Sequence, residues 1–258
     1  MFARNAIAIT FAGLCALSLP PQRANAQDGG DYLFGRPKFS IALRVGAARP
    51  DATDGVFAFT SDLLAAPGGR RRLGANDYAG VALGADIGVP LSQRFELQFV
   101  GSTSARRVQS EYRSFVDNND LPIEQVTRLR RTPLSVGVRY NLVPAGRTIS
   151  RLAWVPTKTV PYIAAGGGAM WYRFRQDGDF IDSESQNLDV FRATLNADGW
   201  APLGYAATGI SWGFRPTVAL NTELRYDYAR APLRGDFTGF GRTSMSGVGV
   251  STGLQFRF

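Results

Sequence analysis

Apolar and small or polar residues alternate along most of the chain beyond residue 37. In Lys38–Arg49, for example, Phe39, Ile41, Leu43 and Val45 alternate with residues of the second kind. Successive side chains of a β-strand point to opposite faces, so a period of two residues predicts strands. No stretch after the N-terminal segment shows a clear helical period of 3.6 residues. The pattern therefore predicts an all-β fold.

Eight segments carry this alternation, and each is at least as long as the roughly 9–11 residues that a tilted membrane strand needs. The predicted strands are Lys38–Arg49, Tyr78–Val89, Arg94–Arg106, Val126–Asn141, Val160–Arg175, Leu203–Phe214, Val218–Ala229 and Ser244–Phe258.

The connections between these strands alternate in length. Long polar ones are predicted at Pro50–Asp77, Gln109–Gln125, Gln176–Pro202 and Arg230–Thr243, whereas those after the second and sixth strands have only a few residues. Alternation of long loops and short turns is typical of an outer-membrane barrel. The fourth connection, Leu142–Thr159, is too long for this rule, and the sequence leaves open whether it is a periplasmic excursion or a short helix.

The less apolar face of the strands distinguishes a membrane barrel from a soluble sandwich. This face is rich in Gly, Ala and Ser, which would cover a water-exposed sheet poorly but suit the narrow lumen of an eight-stranded barrel. Charges of both signs share the face, and we expect them to form a structural network that plugs the lumen. The predicted network consists of Arg44, Asp86, Glu96, Arg139, Arg173, Glu223, Arg225 and Asp227.

Aromatic residues lie towards the predicted strand ends, where interfacial girdles would sit. The predicted girdle residues are Tyr140, Tyr162, Trp171, Tyr172, Phe174, Trp212, Tyr226 and Tyr228. The alternative is a set of cross-strand aromatic pairs in a soluble core.

The first 26 residues have the features of an export signal. Arg4 precedes a mostly apolar stretch, Ala6–Leu19, that is shorter than a membrane-spanning helix, and Ala24-Asn25-Ala26 fits a cleavage site. We therefore expect a cleaved signal peptide over 1–26, a short periplasmic segment over 27–37 and a barrel over 38–258. The single cysteine, Cys15, would leave with the signal, so no disulfide or thiolate metal site is expected.

The net charge of +8 would fall to +6 once Arg4 and Arg23 are removed with the signal. Export makes nucleic acid an implausible partner and points to phosphorylated lipopolysaccharide instead. The sharpest basic run, Arg70-Arg71-Arg72, lies in the first predicted loop, with Arg106, Arg107 and Arg113 near the second. These three consecutive arginines are candidate lipopolysaccharide contacts; an ordinary hydrated loop is the alternative.

Several features exclude familiar chemistry. The chain has no histidine, so the usual mechanisms of outer-membrane hydrolases and acyltransferases are not available, and no enzyme activity or cofactor is expected. Gly166-Gly167-Gly168 lies within a strand and does not fit a phosphate-binding loop. The acidic loop of Asp177, Asp179, Asp182 and Glu184 lacks calcium-loop spacing, so no metal site is expected.

Thr132–Leu142 ("TPLSVGVRYNL"), Leu220–Ala229 ("LNTELRYDYA") and the terminal Leu254-x-Phe256-x-Phe258 resemble strands of small outer-membrane barrel families, namely the OmpA-type transmembrane domain, OmpX and OmpW. The resemblance implies an eight-stranded antiparallel up-and-down barrel in the outer membrane, monomeric and surrounded by lipid and lipopolysaccharide. It also implies that Leu254, Phe256 and Phe258 act as an assembly signal for the barrel-assembly machinery, with periplasmic chaperones as transient partners.

The expected role is structural or surface-interacting, through membrane integrity and loop contacts. The first alternative is a narrow OmpW-like channel for small or apolar solutes. A weaker alternative is a soluble, lipocalin-like periplasmic binder, because such proteins share the period of two residues.

Overall fold

The computed structural model describes residues 32–52, 56, 73–116, 120–150, 153–182, 189–239 and 241–258. These residues are organised mainly as β-strands, with 3₁₀ turns at Ala75–Tyr78 and Gly235–Phe237. Among the residues that the structure describes, no helix is both long enough and apolar enough to cross a membrane. The strands are β1 Ser40–Pro50, β2 Gly80–Pro90, β3 Phe95–Val116, β4 Pro122–Asn141, β5 Gly146–Ser150, β6 Ala153–Pro156, β7 Thr159–Ile181, β8 Val190–Arg215, β9 Val218–Pro232, β10 Arg242–Ser244 and β11 Gly247–Arg257.

Eight of the strands close into a ring. Their order is β9-β11-β1-β2-β3-β4-β7-β8, and β8 pairs again with β9, so that every neighbour is antiparallel. The last strand joins the first through a continuous register from Ser40↔Arg257 to Pro50↔Gly247. The predicted eight-stranded antiparallel barrel is thus confirmed, and β10 extends the wall on β9 beside β11.

The two ends of the barrel differ. At one end, which we call the turn end, β2 joins β3 and β8 joins β9 through short turns. The long fourth connection lies at this end, and it contains a small two-stranded hairpin, β5–β6, instead of the short helix that was one of the two alternatives. Backbone hydrogen bonds between Leu33 and Trp154 attach the segment before β1 to this hairpin. The opposite end, the loop end, carries the β1–β2, β3–β4, β7–β8 and β9–β10 connections.

Four strands are much longer than predicted. β3, β4, β7 and β8 contain 22, 20, 23 and 26 residues, and much of the expected loops at 109–125 and 176–202 is strand. The backbone ladder continues to Ile181↔Val190 at the loop end. Here the outward residues become polar, so the hydrophobic period that marks a strand in the sequence disappears while the hydrogen bonding persists.

Side-chain exposure follows the predicted alternation. The outer wall carries apolar residues that are open to the surroundings, such as Leu43 (61% exposed), Val81 (66%) and Leu134 (48%). Their neighbours Arg44 and Ser135 are buried inside the barrel. The apolar outer band is called the belt below.

Some glycines permit close approach of neighbouring strands. A Cβ atom on Gly168 in β7 would collide with the backbone of β4, at the carbonyl oxygen of Leu134 and at Cα of Ser135, the second at 2.7 Å. A Cβ atom on Gly204 in the adjacent β8 would meet nothing within 4 Å. The two positions therefore differ in the space available, although both lie in the wall.

We predict that Gly168→Ala lowers the free energy of unfolding by on the order of 1–3 kcal/mol, because overpacking forces the β4 and β7 backbones apart. Gly204→Ala is the matched control and should change it much less. Urea unfolding in detergent micelles, followed by the heat-modifiable shift in electrophoretic mobility, measures both. Equal stability of the two variants would contradict the close β4–β7 contact.

Candidate functional site

The centre of the lumen holds an arginine between two carboxylates. Arg44 of β1 forms ion pairs with Asp86 of β2 and with Glu223 of β9, the latter with Nη1 2.8 Å from Oε1. The three side chains are only 5–6% exposed. Tyr162 of β7 donates its hydroxyl to the second oxygen of Glu223 at 3.0 Å. Four strands on different sides of the barrel are thereby connected across its axis.

Two further arginines pack on tyrosine rings on either side of this triad. The guanidinium of Arg139 lies 3.7 Å from the ring centre of Tyr162, and that of Arg225 lies 3.8 Å from the ring centre of Tyr205. The Arg225 side chain also donates to Asp227 at 2.8 Å. Arginine stacks well on aromatic faces, so each ring and its guanidinium fill the lumen cross-section together.

Small residues on nearby strands make room for these rings. A Cβ atom on Gly209 would lie 2.6 Å from Cζ of Tyr162, and one on Gly166 would lie 2.7 Å from Cε1 of Tyr205. A Cβ on Gly137 would collide with the Tyr205 hydroxyl. The inward glycines are therefore sockets for the large lumen side chains.

An apolar core closes the lumen towards the loop end. Its centre includes Tyr172, Phe174 and Met170, which are at most 1% exposed. Phe174 packs edge-to-face on Phe237 with ring centres 5.1 Å apart, and the Tyr172 hydroxyl donates to the Pro232 carbonyl at 2.8 Å. The remaining buried members are Ala52, Val56, Leu73, Tyr78, Val108, Leu129, Ala197, Ala201, Leu203, Ala229, Ala231, Leu233 and Met245.

This core corrects part of the girdle prediction. Tyr162, Tyr172 and Phe174 do not face outwards as predicted but lie on the inward, even-numbered face of β7. The prediction was wrong because a run of aromatics on both faces of a strand end does not show which residues face inwards. The other five predicted aromatics, Tyr140, Trp171, Trp212, Tyr226 and Tyr228, do share the outer face of their strands.

The turn end is covered by the β5–β6 hairpin and the segment before β1. Trp154 of the hairpin is 4% exposed, and the Arg36 guanidinium donates to the carbonyl of Ser92 in the β2–β3 turn. These groups help to enclose a cavity of about 40 Å³ beside Glu96 and Arg139.

A second small cavity, of about 70 Å³, lies beside the triad and against the glycines and alanines of β1, β2 and β11. The two cavities have no lining residue in common. One water molecule takes up roughly 30 Å³ of liquid volume, so each cavity has room for only a few.

Seven of the eight predicted lumen charges lie inside the barrel, and the eighth does not. Arg173 is exposed on the outer wall, with its guanidinium 5.1 Å from the Trp171 ring centre. Arg173 was predicted inside for the same reason that Tyr172 and Phe174 were predicted outside. Tyr172 and Phe174, on either side of it in β7, face the lumen, so Arg173 faces outwards. Glu96 and Arg139 lie near the turn end, and Asp227 lies nearest the loop end.

Sequence reasoning missed one inward arginine, Arg131, whereas the alternation along the last strand already places Arg257 on the lumen face. Arg131 is 5% exposed and donates to the carbonyls of Met245 and Ser246 at 3.0 and 3.1 Å, which ties β4 to the β10–β11 junction. Arg257 lines the cavity at the turn end. The period of two residues could have found Arg131, since it continues the face of Ser135 and Arg139.

The structure describes some of the remaining residues singled out in the sequence and not others. Arg70, Arg71 and Arg72 lie outside the described residues, as do Glu184 and residues 1–26, for which a signal peptide is predicted. Asp177 and Asp179 are part of β7 rather than a loop. Leu254, Phe256 and Phe258 lie on the outer face at 45%, 38% and 57% exposure, and the ring of Phe258 stacks on Phe39 with centres 5.0 Å apart.

Fold and lumen together define the class of closed eight-stranded β-barrels with an apolar outer wall and an interior filled by side chains. No family model matches the sequence, and no curated protein matches it.

Solved structures of outer-membrane barrels resemble the fold. OprG from Pseudomonas aeruginosa has 12% identity and a TM-score of 0.46, over 87% of this chain and 98% of OprG. Neisserial surface protein A has 13% identity and a TM-score of 0.39, over 89% and 98%. Outer membrane protein W of Escherichia coli has 14% identity and a TM-score of 0.36, over 87% and 99%. None is related closely enough for its role to pass to this chain.

We predict that Arg44→Met destabilises the barrel by on the order of 3–5 kcal/mol, because it leaves two buried carboxylates without their cation. Adding Asp86→Asn and Glu223→Gln to this variant should restore part of the loss. Arg215→Met, at an exposed position, is the control. Urea unfolding measures all four proteins, and a loss no larger than that of the control would show that the triad is not a stabilising element.

Proposed function

We propose that the chain is an integral outer-membrane barrel with a closed lumen, and that it acts in membrane integrity and through its outer surface and loops. The observation that carries the proposal is the buried Arg44–Asp86–Glu223 triad of β1, β2 and β9, to which Tyr162 of β7 donates its hydroxyl from the far side of the barrel. With the apolar core on one side and the hairpin on the other, the interior is filled at three successive levels.

The belt supports the membrane location. Along β7 the outward residues between Pro161 and Trp171 are Ile163, Ala165, Gly167 and Ala169, an uncharged stretch of the length that a tilted strand needs to cross the hydrocarbon core. In water, the outer Leu, Val and Ile side chains, 36–66% exposed, would leave a large unfavourable apolar surface, whereas lipid removes it. This surface argues against a soluble periplasmic binder.

The proposal includes the route to the membrane. Residues 1–26 would serve as the cleaved export signal and residues 27–37 as a periplasmic segment. Leu254, Phe256 and Phe258 would present the terminal strand to the assembly machinery, and their outward exposure is suited to that recognition. We assign no reaction to the barrel, because the central carboxylates are committed to Arg44.

A narrow channel is the second candidate, and the two small lumen cavities favour it. Tyr162 and Arg139 lie in the region between the two cavities. For conduction, these side chains would have to rearrange so that the cavities join. Steady conduction would require the apolar core to open as well.

We predict no steady conductance for the protein in planar lipid bilayers, because the three closures lie in series along the axis. Insertion is verified in the same preparation by the heat-modifiable shift, and a general porin reconstituted in parallel shows that open pores are detected. Steady current steps that scale with salt concentration would overturn the closed-lumen proposal and favour the channel.

We also predict that Phe258→Ala lowers the amount of folded protein in the outer-membrane fraction several-fold, because Phe258 stacks on Phe39 at the β1–β11 seam. Phe34→Ala is the matched control, since Phe34 is an aromatic residue at the same end, 84% exposed and outside the strands. Quantitative blotting of the heat-modifiable form measures both. Equal levels for the two variants would remove the assembly role from Phe258.

A further inference from the structure

Five arginines cluster on the outer wall of β3, β4 and β7. Strand register places them in two neighbouring rows across the wall, in which residues opposite each other share the outer face. The upper row, towards the loop end, is Arg107–Arg128–Arg175–Asn196, and the lower row is Ala105–Arg130–Arg173–Asp198. We call the five arginines the arginine patch.

The arginine patch begins where the belt ends. The next row towards the turn end contains Thr132, Trp171 and Trp200, and Thr103 bonds to Thr132 at 3.1 Å. Trp200 is 59% exposed on the outer wall. Tryptophan marks the boundary between hydrocarbon and headgroups, so the arginines lie at the height of the headgroups on the loop side.

The arginine patch lacks enough anions of its own. Arg128 stands directly opposite both Arg107 and Arg175, and Arg130 stands opposite Arg173. Like charges in such cross-strand positions repel each other. The two rows carry five arginines and a single acid, Asp198, which gives a net charge of 5 − 1 = +4.

One carboxylate of the next row compensates part of this charge. Asp177 accepts from Arg175 Nε at 2.9 Å, and it lies 3.9 Å from Arg128. The hydrogen bond from Arg175 holds the pKa of Asp177 below its usual range, so this carboxylate stays ionised at neutral pH. Within the described residues, Arg107 and Arg130 make no ion pair. The side chains of Arg128 and Arg175 remain 49% and 42% exposed.

A groove of about 570 Å³ runs along the wall above the patch. Arg107, Arg128 and Arg175 line its side towards the belt, and the acids Glu124, Asp177 and Asp179 line its side towards the loops, where Arg192 stands opposite Asp179. The positive side of the groove therefore faces the membrane boundary.

We propose that the arginine patch binds the phosphate groups of the phosphorylated glycolipid in the outer leaflet. Guanidinium groups bind phosphate in bidentate fashion, and a lipid whose acyl chains lie on the belt holds its phosphates at this height. This site is distinct from Arg70–Arg72, and the inference rests on the proposed membrane location. It gives the barrel a specific lipid neighbour along one side of its wall.

The test compares lipid binding by the purified full-length barrel and by the variant Arg107→Gln/Arg128→Gln/Arg130→Gln/Arg173→Gln. The probes are bisphosphorylated lipid A and its dephosphorylated form, each in zwitterionic nanodiscs, with bound lipid counted by native mass spectrometry. We expect the variant to lose at least about tenfold in affinity for the phosphorylated form only, and the wild-type affinity to fall as salt rises. Arg230→Gln/Arg242→Gln, at exposed positions of β9 and β10, should retain wild-type binding.

Three results would overturn the inference: unchanged binding by the fourfold variant, an equal loss in the control variant, or equal wild-type binding of the dephosphorylated lipid. Tighter binding of a soluble acidic polysaccharide than of lipid A would also overturn it and indicate a host or capsule ligand. Failure of the proposed function is separate, because it would show as a missing outer-membrane fraction or as steady conductance, whatever lipid is bound.

Discussion

Closure of the backbone hydrogen-bond ladder is the constraint on which the rest of the structure depends. Hydrocarbon cannot satisfy a free N–H or C=O group, so a sheet in lipid must have no open edge. In this chain the seam is the pairing of β1 with β11, extended by hydrogen bonds from the backbone of Lys38 and Phe39 to the carbonyl of Phe258. With only eight strands, closure also fixes a lumen so narrow that side chains must fill it.

The filling of the lumen explains the residue types on the inner face. A large ring or guanidinium fits at a given level only if the neighbouring strands contribute small residues there, which is why Tyr205 packs on Gly166 and Gly137. A charge fits only if its counter-charge comes from another strand, as Asp86 and Glu223 do for Arg44. The polar interior and the glycine-rich strands are therefore two parts of one packing solution.

The features that could be predicted from the sequence are those that follow from the period of two residues inside the belt. Strand number, outward apolar residues and the inward positions of seven of the eight lumen charges followed from it, because an apolar outer wall and a packed, polar lumen impose strict alternation. Prediction failed beyond the belt, where the inner and outer faces of a strand no longer differ in polarity. Arg173 was placed inside because β7 there has aromatic and charged residues on both faces, and the inner ones, Tyr172 and Phe174, are identified only by the apolar core that they enter.

The long strands at the loop end were missed for the same physical reason. Above the belt both faces of β3, β4, β7 and β8 are polar or mixed, so only backbone pairing maintains the strand. The β5–β6 hairpin was likewise hidden, since its five and four residues are too short to show a period. Cross-strand neighbours such as Arg128 and Arg175 are far apart in the sequence, and only the register brings them together.

Arginine has opposite surroundings inside and outside this barrel. Within the lumen, Arg44 has two carboxylates, and Arg139 and Arg225 each have a tyrosine ring and a hydrogen-bond acceptor. On the outer wall, arginines face other arginines across the strands. Isolated like charges in water would cost little, but beside the hydrocarbon boundary of the proposed membrane location they would be screened poorly. The fold partners Arg44, Arg139 and Arg225 with its own residues, whereas it leaves the arginine patch to its surroundings, which in that location are the lipid headgroups.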